Sequence, residues 1–139
     1  MKLLAAAILT FALASSAAAR EAFSPLGADA EVQQMKRGVN VLGYDPLWQD
    51  PAKARFQPRL FTTIREGGLG TVRMNLQAFA HMDAQDRLDP AWLATLDRMV
   101  YAALDAGLYV ILDEHDYRLC PEDPAACQVK LTAFWRQIG

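Results

Sequence analysis

Only two of the 139 residues are cysteine, and neither sign of charge dominates: 14 Lys and Arg stand against 16 Asp and Glu. That balance excludes the strongly basic surface of a nucleic-acid-binding protein. Two cysteines with no second pair nearby make a poor zinc site. A phosphate-binding fingerprint is missing too: Gly67-Gly68-Leu69-Gly70 precedes an expected strand, whereas a phosphate cradle follows a strand and opens a helix. There is no Gly-x-Ser-x-Gly nucleophile elbow. Beyond residue 19 no stretch is apolar enough to cross a bilayer. What remains is the composition of a globular domain, 53% hydrophobic and 22% charged, at a length that suits one domain.

The apolar residues are concentrated at the start. Lys2 precedes an almost unbroken apolar run from Leu3 to Ala14, and Ser15-Ser16-Ala17-Ala18-Ala19 supplies small residues before Arg20-Glu21. This three-part plan reads as a secretory signal peptide over residues 1–19, cleaved after Ala19. The run falls short of the roughly 20 residues that a spanning helix needs. The expectation is a secreted or periplasmic protein with no membrane association once the leader is gone. Cys120 and Cys127 enclose Pro121-Glu122-Asp123-Pro124-Ala125-Ala126, which in an oxidising compartment reads as a polar loop tied by a local disulfide.

Residues 20–37 show no clear period and are expected to form an extended lead-in. Gly38-Val39-Asn40-Val41-Leu42-Gly43 suits a buried strand. Pro58 to Glu66 places Leu60, Phe61 and Ile64 on one helical face, and Gly67-Gly68 ends it. Thr71–Leu76 is the second strand, and residues 77–87 read as a loop. Asp89-Pro90 starts the next helix with a side-chain cap and a proline that misses no donor. Leu93, Leu96, Val100 and Leu104 give that helix its apolar spacing, and Gly107 ends it. Leu108–Leu112 is apolar throughout, as a strand covered on both faces would be. A last helical pattern spans residues 128–138. Alternation of strands and helices predicts a parallel sheet.

In parallel sheets ligands bind beyond the carboxyl ends of the strands. Those ends carry Asn40, then Arg73 and Asn75, then Asp113-Glu114-His115-Asp116. Alternation puts Arg73 with Asn75 on one face and Asp113 with His115 on one face. Arg73 can equally serve a structural role by pairing with a buried carboxylate, and the two asparagines can bond loop backbone instead of a substrate. Glu114 is expected to point to the helical layer or to solvent. A metal reading of Asp113–Asp116 lacks a second histidine at ligand spacing, so a metal is not expected there. Tyr44 and Trp48 after the first strand and Tyr117 after the third offer flat rings suited to stacking on sugars, or to anchoring loops. Trp92 and Trp135 lie on helices and are expected to pack.

Gly38-Val39-Asn40, Thr71-Val72-Arg73-Met74-Asn75-Leu76 and Gly107 to His115 together resemble the opening third of glycoside hydrolase family 5, the cellulase family. The likeness covers about residues 37–139. It implies the N-terminal part of a (β/α)8 TIM barrel, about three β/α units, in residues 38–139. It further implies a retaining glycosidase that acts on a β-linked polysaccharide, an endo-β-1,4-glucanase in the first instance, without cofactor and monomeric when complete. By that resemblance Arg73 holds the nucleophilic glutamate ionised and His115 lines the subsite of bond cleavage. Asn40, Tyr44, Trp48, Asn75 and Tyr117 become substrate-binding candidates. The family's acid/base is the Glu of an Asn-Glu pair, and this chain has no such dipeptide. A barrel of this kind takes about 250 residues, so the chain is expected to be an inactive fragment lacking both catalytic glutamates. The rival readings are a non-catalytic carbohydrate-binding or scaffold protein and a metal-dependent barrel hydrolase.

Overall fold

Three short segments rich in β-branched and apolar residues line up side by side in the computed structural model, which describes residues 25–116 and 118–139. They are β1 (Gly38–Val41), β2 (Thr71–Leu76) and β3 (Tyr109–Glu114), parallel and in the order β1-β2-β3. The register pairs Asn40 with Arg73 and Arg73 with Ile111, then Asn75 with Asp113. The proposed leader at residues 1–19 and Tyr117 lie outside the described residues.

Helices α2 (Arg59–Glu66), α3 (Pro90–Asp105) and α5 (Pro124–Ile138) supply the apolar layer against one side of this sheet. Val41, Val72, Met74 and Leu76 form a single core with Phe61, Leu96, Met99, Ala103 and Phe134. Asp89 caps α3 by accepting the Ala91 N–H at 2.8 Å, with Pro90 in its first turn. The buried side of α3 is Trp92, Thr95, Leu96, Met99 and Ala103. Leu104 is exposed, so the inward stripe runs one position before the expected one at its C-terminal end. Trp135 is exposed as well, with its ring in edge contact with the buried Phe134.

Three further differences from the sequence expectation have physical causes. Residues 28–35 are not extended: Ala28–Met35 forms helix α1. It has no buried residue, so it carries no apolar stripe for a periodicity argument to find. Tertiary bonds hold it, with Thr71 Oγ1 donating to Met35 O at 2.7 Å and Tyr109 Oη donating to Gln34 Oε1 at 3.0 Å. Close approach explains Gly70, where a Cβ would lie 2.5 Å from Met35 O. Second, the segment between the cysteines is a short helix, α4 (Leu119–Glu122), running into the first turn of α5, rather than an irregular loop. Asp123 caps α5 at the Ala126 N–H, and Cys120 and Cys127 are joined with Cα atoms 4.8 Å apart. Third, β3 is not covered on both sides: Ile111 is 40% exposed on the face away from the helices.

Candidate functional site

Parity along the strands decides which side chains meet. Asn40, Arg73, Asn75 and Asp113 project from the face opposite the helices, and His115 continues that row past the end of β3. Asp113 gathers them. Its Oδ2 lies 2.6 Å from Arg73 Nη2, accepts the Asn75 amide at 3.0 Å and is 3.1 Å from His115 Nδ1. Arg73 and His115 therefore stand on the same side of the sheet, joined through one carboxylate oxygen. The ion pair with Asp113 is the pairing with a carboxylate that the structural reading of Arg73 expects. Partly buried, and shared among three partners of which Arg73 and His115 are more exposed, this carboxylate orients its neighbours more than it stabilises the fold. With Nδ1–H directed at Asp113, Nε2 of His115 is the nitrogen that can accept from or donate to a ligand.

Asn75 and His115 of the cluster open onto a cleft of about 320 Å³, lined also by Asn40, Tyr44, Gln77 and the chain at 41–43. Gln77 was not singled out from the sequence, although extending the alternation of 73 and 75 by one step reaches it. Gln77 and His115 also border a second cavity of about 250 Å³ on the β3 side, which Phe79, Asp116, Arg118 and Lys130 complete. Tyr44 is exposed at the cleft. Trp48 is not part of it: the ring is buried, its Nε1 donates to Leu42 O at 2.6 Å, and it lies 5.3 Å from Trp92. This indole anchors the loop after β1 instead of meeting a ligand, because a buried N–H needs a fixed acceptor.

That loop owes its shape to Asp45, another residue that spacing did not reveal. Its buried carboxylate accepts the backbone N–H groups of Leu47, Arg55 and Phe56 at 3.0, 3.1 and 2.8 Å. Arg55 in turn donates to the Tyr44 carbonyl at 2.9 Å, so the rim bearing Tyr44 is tied at two points. On the β3 side Asp116 accepts from the N–H groups of Arg118 and Leu119. Among the described residues no group of three His, Cys, Asp or Glu is placed to hold a metal ion.

Comparison with known proteins places this geometry. A family model described as Cellulase (glycosyl hydrolase family 5) matches residues 29–139. A Xyloglucan-specific endo-beta-1,4-glucanase of Bacteroides ovatus is 32% identical over 128 residues, covering 76% of this chain and 25% of that protein. Endoglucanase 1 of Ruminococcus albus is 28% identical over 102 residues, covering 70% and 25%. The chain thus spans about a quarter of the length of these curated relatives. Among solved structures, that of Thermotoga maritima Cel5A in complex with cellobiose superimposes with a TM-score of 0.66 at 24% identity, over 76% of this chain and 35% of that one. At that identity the likeness speaks for the fold.

Proposed function

Because the chain belongs to glycosyl hydrolase family 5, the cellulase family, we propose that it is the first three β/α units of a secreted retaining endo-β-1,4-glucanase. The observation that carries this reading is the convergence of Arg73, Asn75 and His115 on Asp113, at the carboxyl ends of adjacent parallel strands. That is the end at which β/α barrels do their chemistry. Kinship with the Bacteroides and Ruminococcus glucanases supports a β-linked glucan as the substrate.

Retaining hydrolysis needs two carboxyl groups roughly 5 Å apart, one as nucleophile and one as acid/base. In this reading later strands supply both, and the present residues prepare the ground for them. Arg73 places a permanent positive charge where a nucleophilic carboxylate would be held ionised. Asp113 fixes the guanidinium and the imidazole, so neither has to be ordered when the sugar arrives. His115 and Asn75 offer fixed polar atoms for sugar hydroxyls, with Asn40 and Tyr44 along the cleft. Residues 1–19 would direct export, and the complete enzyme would work as a monomer without a cofactor.

The test is glucan hydrolysis by the complete gene product and by its Arg73→Ala variant. The expected outcome is a rate lowered by about 10² to 10³, with little change in thermal unfolding. Near-normal turnover by the variant would remove Arg73 from the site. Residues 20–139 alone are expected to release no reducing ends from carboxymethylcellulose, and release would overturn the assignment of catalysis to later strands.

A further inference from the structure

Glu114 lies between two cleft residues and serves neither directly. Alternation turns it to the face opposite Asp113 and His115. There its Oε2 accepts the Ala78 N–H at 2.8 Å, across 36 residues of sequence. Ala78 is fully buried and opens the 3-10 turn Ala78–His81, immediately after Gln77. Gln77 borders both cavities. The second oxygen, Oε1, is buried and finds no hydrogen-bond partner among the described residues. A carboxylate left so incompletely paired costs stability, and a fold that keeps one at the lip of its cleft has a use for it.

We propose that Glu114 is a positioning residue for the cleft: its carboxylate ties the end of β3 to the turn at Ala78 and thereby sets where Gln77 and His115 stand. The inference rests on the glycosidase reading only for what is being positioned, not for the tie itself.

The tie is sensitive to protonation. Burial pushes the Glu114 carboxyl up to about 7, against the pull of the Ala78 and Phe79 N–H groups, and the neighbouring acids Asp116 and Asp113 push the same way. Other charged groups near this junction are His81, at the end of the turn, and Arg118 and Lys130, which line the adjacent cavity with Asp116. A bond to the ionised acceptor is itself stronger, but burial outweighs it here, so ionisation favours any opening that wets the carboxylate. The tie to Ala78 therefore loosens as pH rises through neutrality.

Hydrogen exchange of the Ala78 amide in the complete gene product, corrected for the intrinsic rate, tests this between about pH 5.5 and 8.5. Protection is expected to fall several-fold across that range, because an opening that wets the carboxylate lets it ionise at its ordinary value. Glu114→Gln, of the same shape but always neutral, is expected to abolish the fall while the protein stays folded. Flat protection in the native protein, or an unchanged fall in Glu114→Gln, would overturn the tie. With soluble glucan, Glu114→Gln is expected to raise KM several-fold and to alter kcat less, and an unchanged KM would overturn the positioning role. If the complete protein hydrolyses no glucan, the exchange experiment still decides the tie, so the two failures can be told apart.

Discussion

The two faces of the three-stranded sheet obey different rules. On one, Val72, Met74 and Leu76 are fully buried in a core shared with Phe61, Leu96, Met99, Ala103 and Phe134 of the helices. On the other, Arg73 and Asn75 alternate with them along β2 and meet Asp113 on β3, partly open and joined by hydrogen bonds and an ion pair. The buried face gains its stability from area removed from water. The polar face gains little from its ion pair at such exposure, and what it provides is a fixed arrangement of charge. One strand thus serves stability and chemistry with neighbouring residues.

Breaking the apolar face should cost most. Phe61 is fully buried against the sheet and lies 4.9 Å from Phe56. Phe61→Ala is expected to destabilise the protein by about 3–5 kcal/mol, read from denaturant unfolding of the complete gene product. A loss below about 1 kcal/mol would mean that the packing there is loose. An intermediate effect is expected where the two faces join, at the loop that Asp45 organises. Asp45→Ala strands three backbone N–H groups and should cost about 2–3 kcal/mol, with faster proteolysis between residues 44 and 57 as the accompanying sign.

The smallest effect sharpens the contrast, because it should stabilise. Glu114 ionises in the unfolded chain near its ordinary 4.5 but in the folded protein only near 7. Its contribution is therefore fully favourable below about pH 4.5 and is lost as pH rises through about 7. Glu114→Gln should match the native protein at low pH and exceed it by about 1 kcal/mol at pH 8, after allowance for partial solvent access. Unfolding measured at several pH values checks this, and a constant difference would show that the carboxyl does not titrate in that range. A residue kept for placement at the expense of stability behaves in this way.

Strand β2 was legible to the residue, because Thr71–Leu76 is bounded by glycine and alternates polar with apolar side chains. The start of α3 was legible as well, since Asp89-Pro90 is a local signal with a local cause. Alternation alone also put Asp113 with His115 and Arg73 with Asn75. What could not be read was anything set by distant partners. Helix α1 is held by Thr71 and Tyr109, not by a stripe of its own. Trp48 looks the same in sequence whether it faces a ligand or, as here, Trp92. Glu114 acquires its meaning from an amide 36 residues earlier. Leu108–Leu112 read as a strand covered on both sides because apolar content alone does not reveal that the second face of β3 stays open.

Asp113 offers its Oδ2 atom to a guanidinium, an amide and an imidazole at once. Substitutions at Arg73, Asn75 and His115 will consequently not combine as independent parts, because removing any one frees the shared oxygen to settle closer to the other two. Anyone altering this site should treat the quartet as a single heritable unit, to be exchanged together or left alone.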